Sequence, residues 1–439
     1  VTPRIDIRQH QLTRLRQLLA EALPGNRFYA RKFAGLDPAS LRSVDDLHRL
    51  PFTTKAELAA DQTDHPPYGT ALSYPTDRYC RLHQTSGTST GRPLRWLDDN
   101  AGWEQVVRCW MGSFPIMGLT PADRAFFPFS FGPFLGFWSG YEAASRFGLL
   151  CLPGGGMTST ARLRFLVEHK ATVVFATPTY ALHLAELAAK EGIDLPGSPV
   201  RAVVVAGEPG GGIPATRQRI SDGWGARVLD HYGMTEIGPV AFEPQAVPGS
   251  LLVLETEVIA EVLQPDGDAP TPDGEAGELV LTSLGRVGSP LIRYRTGDLV
   301  RVDPNPPTAP DLPAGWRLLA GGVLGRADDM IHVRGNNLYP AAIEAIVRRF
   351  PAVAEFRVVV DQTGPLTDLV IEVEPLPHSP ADLAGQVAQA VGDELLFRAA
   401  VVAVPPGSLP RFELKARRVV TLNAEHKTRN EEPASPRAT

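Results

Sequence analysis

The stretch ATVVFATPTYALHLAELAAKEGIDLPGSPVRAVVVAGEP, Ala171 to Pro209, decides the fold. A short apolar run, ATVVFATP, gives way to TYALHLAELAAKEG, where apolar residues recur at helical spacing up to a terminal glycine. RAVVVAGEP then reads as a second strand. A strand, a helix and a strand in that order imply parallel strands joined by a crossover helix. Upstream, GLLCLP from Gly148 reads as another strand and ARLRFLVEHK as a helix; downstream, IPATRQRISDGWG is a helix ended by glycine and RVLDHYGMTE a strand running into a loop. Between 250 and 303 the pattern becomes strand-rich, with LLVLETEVIAEVL, GELVLTSL and DLVRVD set apart by the turns PDGD and PDGE. That segment predicts a mixed sheet or a small barrel on the flank.

Toward the N-terminus, residues 8 to 22 read as an amphipathic helix, and LRSVDDLHRLPFTTKAEL as a helix, a proline-marked stop and a capped restart. Toward the C-terminus, the proline-crowded DPNPPTAPDLPAGW reads as an exposed loop. GRADDMIHVRGNNLYPAAIEAIVRRFP begins a separate unit, which continues through FRVVVD, DLVIEVEP, a helix around 380 to 396 and AVVAVPP. With 439 residues, more than a single core usually holds, the expectation is an α/β chain in two parts. Residues 1–324 are expected to form a large N-terminal domain of mixed and parallel sheets with packed helices and a strand-rich flank. Residues 325–422 form a small, mobile α+β domain, and the polar stretch 423–439 is a disordered tail.

Composition removes several classes. Hydrophobic residues at 43%, charged residues at 21% and a net charge of -6 are ordinary for a globular protein and argue against a general nucleic-acid binder. No run approaches the roughly 18 apolar residues of a membrane span, and the first residues lack the apolar core of a signal peptide, so a cytoplasmic protein is expected. Cys80, Cys109 and Cys151 lie far apart without CxxC spacing, which predicts free, mostly buried thiols. Only six basic residues are lysine, among them Lys415; the remainder are arginine.

Chemistry concentrates in a few loops. HQTSGTSTGRP, His83 to Pro93, packs the Ser, Thr and Gly needed to wrap phosphate oxygens, yet no Gly-Lys-Ser/Thr follows, which excludes a Walker loop. HYGMTEIG offers a ring (Tyr232), a hydroxyl (Thr235) and a carboxylate (Glu236) within five residues, the parts a nucleotide site with Mg²⁺ requires; a capped turn would look similar. YRTGDLV and GRADDMIHVRGNNLYP add Asp298 after a glycine turn and Arg326 near two aspartates.

Taken in order, TSGTSTGRP, HYGMTEIG, YRTGDLV, GRADDMIHVRGNNLYP and LPRFELKARRV resemble the adenylate-forming ligase superfamily of acyl-CoA synthetases, adenylation domains and luciferases. RGNNLYPAAIE and LPRFELKARRV are similar to its phenylacetate-CoA ligase branch. The resemblance implies that Thr85, Ser86, Gly87, Thr88, Ser89, Thr90 and Gly91 hold the ATP phosphates and that Thr235 touches the α-phosphate. Glu236 would bind Mg²⁺, and Asp298 the ribose hydroxyls. Ala206, Gly207, Glu208 and Pro209, with His231, Tyr232 and Gly233, would form the adenine slot and its surroundings. Arg326 would contact ribose or phosphate, Asp328 would be the hinge, and Arg334 and Gly335 would line the thiol tunnel. Lys415 would bridge carboxylate and phosphate during adenylation, where a compact, mobile ammonium offsets charge that accumulates in the transition state. His231 reads equally as a lining residue of the acyl pocket or as a histidine satisfied inside the fold, and His83 and His332 stay open.

FFPFSFGPFLGFW, Phe126 to Trp138, holds six of the eighteen phenylalanines with glycines between them. It reads as a pocket wall for a flat acid or as Phe-rich core. The resemblance draws the carboxylate pocket from this region and favours an aryl acid of the benzoate, aminobenzoate, hydroxybenzoate or phenylacetate type, with Phe131, Gly132, Phe134 and Gly136 in the wall. Two departures stand out: the phosphate loop is one residue longer than the usual TSGTTGKP, with Arg92 at a frequent lysine position, and Phe412, Glu413 and Leu414 replace the branch's Ser-Glu-Gly before Lys415. The expected reaction is adenylation of the acid and then transfer to the thiol of coenzyme A. The alternatives are a stand-alone enzyme loading a carrier protein's phosphopantetheine, a silent nucleotide-binding regulator, and a kinase or NTPase. The resemblance also implies a homodimer.

Overall fold

The computed structural model describes residues 6–85, 93–265, 267–309, 312–313, 315–327, 329–333, 336–363, 367–412 and 416–422. Helix α1 (Ile7–Ala22) starts where the Asp6 side chain accepts the Gln9 amide, and it buries Leu12, Leu15, Leu18 and Leu19 on one face. After α2 (Arg27–Lys32), the stretch Val44–Arg49, predicted as helix, winds as a 3-10 turn. Helix α3 (Lys55–Asp64) then begins on a capping box in which Thr54 and Glu57 satisfy each other's backbone amides.

Strands β1 (Tyr79–Gln84) and β2 (Arg95–Asp99) make an antiparallel hairpin, followed by α4 (Asn100–Ile116) with Asp99 as its cap. The expected crossover units follow: β3 (Arg124–Phe127), α5 (Leu135–Phe147), β4 (Leu150–Pro153), α6 (Ser159–Glu168), β5 (Val173–Ala176), α7 (Pro178–Glu191), β6 (Ala202–Ala206), α8 (Pro214–Trp224) and β7 (Arg227–Met234). Helices α5, α7 and α8 end on Gly148, Gly192 and Gly225 in left-handed backbone, the usual stop for a helix that must turn back to its sheet.

From β7 the chain switches to hairpins: β8 (Gly238–Phe242), β9 (Ser250–Val253), β10 (Val258–Leu263), β11 (Ala276–Ser283), β12 (Tyr294–Val302) and β13 (Leu318–Arg326). The sequence left open a mixed sheet or a separate barrel here. The structure takes the sheet: these strands hydrogen-bond into one eleven-stranded sheet, ordered β10-β11-β12-β13-β9-β8-β7-β6-β5-β3-β4. Parallel pairing runs from β4 to β7 and antiparallel pairing from β7 outward. Helices α4 and α5 cover one face of the parallel half, around Trp110, Phe114 and Phe127, while α6, α7 and α8 cover the other, around Tyr180 and Trp224.

Gly325, where the change of unit was placed, is the penultimate residue of β13. Beyond it come the short hairpin β14 (Ile331–Val333) and β15 (Asn336–Leu338), α9 (Pro340–Val347), β16 (Val353–Asp361), β17 (Asp368–Pro375), α10 (Leu383–Leu395), β18 (Ala400–Ala403) and β19 (Val419–Leu422). Strands β18-β17-β16-β19 form a sheet of their own, with a separate core built on Ile343, Phe356, Ile371 and Val387. Of the cysteines, Cys109 is buried and Cys151 half-buried, but Cys80 is exposed, because β1 is an edge hairpin strand with one face to solvent. No described helix is long and apolar enough to cross a membrane.

One buried ion pair joins three separate segments of the large part. Arg286 donates through Nε (2.8 Å) and Nη2 (2.7 Å) to both oxygens of Asp98 and through Nη1 (2.9 Å) to the Thr235 carbonyl, and both charged side chains are about 1% exposed. Removing one member would strand a buried charge, a loss of about 3–5 kcal/mol, whereas replacing both with apolar groups would not. Arg286→Met is therefore expected to lower the urea midpoint of the first unfolding transition strongly, and Asp98→Leu/Arg286→Met to recover most of it. A single variant as stable as wild type would show that the pair is not needed.

Candidate functional site

Parallel strands leave a crevice at their carboxyl ends where the pairing changes direction, and ligands of α/β sheets bind there. The change here falls at β7, and its last residues, His231 to Met234, are the HYGM of the predicted site. Because β6 pairs in parallel with β7, Ala206 stands beside His231, so AGEP and HYGM meet although 24 residues separate them in the chain. Gly233 is required at that point: a Cβ there would come within 2.7 Å of the Gly238 carbonyl oxygen. Thr235 and Glu236 occupy the turn into β8, whose first residue, Gly238, has a φ of +90°.

Across this crevice β12 and β13 bring Asp298 opposite Arg326 as cross-strand partners. Tyr232 donates from its hydroxyl to Asp298 at 2.5 Å, and Arg326 Nη1 donates to the other carboxylate oxygen at 3.0 Å. Burial and the Asp298 carboxylate push the Tyr232 phenol well above its ordinary value, so it stays protonated and keeps a proton to donate. Glu236 is buried, with Lys55 Nζ 3.9 Å and the Tyr294 hydroxyl 3.4 Å from one of its oxygens. Burial, and after it Glu236, raises Tyr294 in the same way. Lys55 was not singled out in the sequence; its only signal was membership of the small lysine set.

Among the described residues the Glu236 carboxylate makes only these long contacts, which suits a hard cation. Among the described residues no three His, Cys, Asp or Glu side chains cluster as a cage, so such an ion would be held by one carboxylate and by phosphate oxygens, the usual manner of Mg²⁺.

Glu208 has a more structural place than an adenine slot suggests. One of its oxygens accepts the Thr179 amide at 2.8 Å, at the N-terminus of α7, and the other accepts the Ala416 amide at 2.6 Å. Ala416 follows Lys415, so Glu208 holds the small part's last segment against the large part. Two residues on, Arg418 donates to Thr179 Oγ1 (3.0 Å), to Glu355 (2.8 and 3.1 Å) and to Glu344 (3.3 Å). Burial works against that charge, but Glu344 and Glu355 outweigh it and hold the guanidinium more firmly protonated than usual. Arg219 adds a bond from α8 to the Val353 carbonyl, 3.2 Å. The sequence offered Arg418 only as one more arginine of KARRV.

The aromatic segment divides between the two roles it suggested. Phe126, Phe127 and Phe129 are core, whereas Phe131, half-buried, packs on Trp138 (4.8 Å between centroids) and Tyr141 (5.2 Å) at the open end of α5. Trp138 donates to the Gly132 carbonyl at 2.7 Å; Phe134 precedes α5, and Gly136 looks onto open space with nothing within 4 Å of a would-be Cβ. His231 lies behind this wall, packed on Trp110 (4.2 Å) and Phe242 (4.6 Å). Among the described residues neither ring nitrogen has a hydrogen-bond partner, so the satisfied-core reading fails, and burial drops its pKa to about 3. His83 is buried against Trp103 with Nδ1 3.7 Å from Asp98, and His332 is exposed on β14.

Thr85 is buried, and its hydroxyl oxygen accepts the Leu94 amide at 2.9 Å. Ser86, Gly87, Thr88, Ser89, Thr90, Gly91, Asp328, Arg334, Gly335 and Lys415 lie outside the described residues.

Residues 81–285 match the family described as AMP-binding enzyme, and residues 335–422 the AMP-binding enzyme C-terminal domain. The chain is 30% identical to phenylacetate-coenzyme A ligase of Thermus thermophilus, over 96% of this chain and 97% of that one. It is 32% identical to the Escherichia coli protein of the same name, over 94% of each. Among solved structures, 2-hydroxyisobutyryl-CoA ligase in the postadenylation state, bound to 2-HIB-AMP, superposes with a TM-score of 0.88 at 29% identity, over 96% of this chain and 90% of that one. The same ligase in its thioesterification state gives 0.70, over 96% and 91%.

Behind the crevice, Asp230 faces the Glu243 carboxylate, which Arg217 holds, and accepts the His231 amide at 2.9 Å. Burial and then Glu243 push its carboxyl up to about 7. Between roughly pH 4 and 7 the folded chain keeps a proton that the unfolded chain has released, so this group's contribution to stability is largest in acid and is lost as pH rises through 7. Asp230→Asn is expected to be about 1–2 kcal/mol more stable than wild type at pH 8 and no more stable at pH 4, by urea unfolding. A constant difference across that range would count against the shifted carboxyl.

Proposed function

The chain belongs to the phenylacetate-coenzyme A ligase family of AMP-binding enzymes, and from that membership we propose that it adenylates an aromatic carboxylic acid and passes the acyl group to the thiol of coenzyme A. It is an AMP-forming acid–thiol ligase that uses ATP and CoA. The observation that carries the reading is the convergence of Tyr232, Asp298 and Arg326 at the carboxyl end of β7, next to Thr235 and Glu236. A nucleotide seated there would have its ribose hydroxyls on Asp298, its base against the AGEP strand end and Tyr232, and its α-phosphate at Thr235.

In the first half, a carboxylate oxygen attacks the α-phosphorus as the bond to pyrophosphate breaks; in the second, a thiolate attacks the acyl carbon as the bond to AMP breaks. Like charges meet in the first step, and cationic groups must be brought to the developing charge. Glu236 would hold Mg²⁺, which when bound neutralises phosphate charge. Arg326 orients Asp298 through their bond at 3.0 Å. Lys415, through its place before Ala416, would serve the carboxylate. The second half needs another wall, with Arg334 and Gly335 lining a thiol tunnel after the small domain (325–422) turns about Asp328. The postadenylation likeness supports assigning the Glu208–Ala416 contact to the first half. A homodimer rests on the family resemblance, and a cytoplasmic setting on apolar runs of the sequence that are too short to span a membrane.

The deciding experiment follows pyrophosphate and AMP release with ATP and Mg²⁺ across benzoic, hydroxybenzoic, aminobenzoic and phenylacetic acids, with and without CoA. One aryl acid turned over only with CoA is the expected result; pyrophosphate release indifferent to CoA would favour a carrier-protein acceptor, and silence throughout would end the aryl reading. Lys415→Ala should cut adenylation by about a hundredfold or more and spare thioester formation from preformed acyl-AMP; equal loss in both halves would remove that role. Asp298→Asn should raise the KM for ATP about tenfold or more in pyrophosphate exchange, since it weakens charge-assisted bonds to the ribose. An unchanged KM would take Asp298 out of the nucleotide site.

A further inference from the structure

Several buried polar atoms of the described residues lack partners, but His231 is the side chain that leaves two of them unpaired, Nδ1 and Nε2. Its position is not incidental. Side chains alternate along β7, so Leu229 and His231 face α4 and α5, while Asp230 turns to the opposite face and engages only His231's backbone amide. The ring sits between Trp110 and Phe242, on the same face as Phe129 and Phe131. The nearby polar groups are committed elsewhere: Ser139 accepts from Trp110 Nε1 at 2.9 Å and donates to the Gly136 carbonyl at 3.1 Å.

Phenylalanine would fill an aromatic box of this kind without leaving polar atoms stranded. An imidazole there carries the penalty of burial without a partner. Such a penalty is offset where a ligand supplies the missing bond, and His231 lies between the aromatic wall at the start of α5 and Tyr232 of the nucleotide site.

We propose that His231 is a specificity-determining residue whose ring hydrogen-bonds a polar substituent, a hydroxyl or amino group, on the ring of the aromatic acid. This inference rests on the aryl-acid reading above and narrows it. The neutral imidazole offers one donor and one acceptor, so a hydroxyl can pair in either sense and an amino group can donate to the bare nitrogen. An acid lacking such a group would bury the ring nitrogens and leave them unpaired in the complex, and sites of this sort reject the bare analogue.

The test compares kcat/KM for adenylation of hydroxy- and amino-substituted benzoic and phenylacetic acids with the unsubstituted parents, in wild type, His231→Phe and His231→Gln. In wild type the best substituted acid should exceed its parent by about tenfold to a hundredfold. His231→Phe should bring that ratio close to unity. His231→Gln, which keeps a donor and an acceptor, should retain part of it. A wild-type ratio near one, or the same ratio in all three proteins, overturns the proposal while leaving the aryl reading intact. Loss of turnover on every aromatic acid by wild type overturns both. ATP binding and the melting temperature of each variant separate a misfolded protein from a lost contact; should His231→Phe not fold, an unaltered ratio in His231→Ala would overturn the proposal equally.

Discussion

Most of the site's geometry depends on the buried bond between Arg286 and Asp98. Asp98 closes the hairpin whose connection is the predicted phosphate loop, Arg286 follows the eleven-stranded sheet's flank, and the Thr235 carbonyl belongs to the turn at the parallel–antiparallel junction. One guanidinium therefore ties strand β2 to the turn that carries Thr235 and Glu236. Arginine suits this task because its planar fork satisfies both oxygens of a carboxylate and still has a donor for a carbonyl. Buried charge is a poor source of net stability, and its value here lies in the orientation it imposes.

The second half of the architecture is held by different means. The small part has its own sheet and core, and it meets the large part through discrete polar bonds at Glu208, Thr179, Arg219 and Arg418. Hydrogen bonds of that kind can be exchanged for water at modest net loss, unlike a shared apolar core. An interface so built suits an enzyme whose relatives adopt two arrangements, and the better superposition on the postadenylation state fits the arrangement held here. Glu208 contributes to both halves: it accepts the Thr179 amide at the start of α7 and the amide of the residue after Lys415.

His231 illustrates how a local violation of packing rules points toward a ligand. Its neighbour on that face of β7, Leu229, is apolar, and Asp230 on the reverse face accepts only its backbone amide. Asp230, on the reverse face, is a comparable departure, but its neighbours Glu243 and Arg217 explain it as part of an internal charge cluster.

The sequence by itself determined the alternating units from β3 to β7, the strand-rich flank, the separate core after β13, the family and the identities of the crevice residues. Each of these is written locally, in hydrophobic period, in terminal glycines or in short ordered motifs. Long-range contacts were not legible. That the flank joins the main sheet, that Glu208 binds Ala416, that Lys55 faces Glu236 and that Arg286 ties Asp98 to Thr235 are all pairings across many residues. Only the tertiary structure decided them, because a side chain's partner is set by how strands stack and which face they present, and an arginine or glutamate looks the same in sequence whether it is solvated or buried against its opposite.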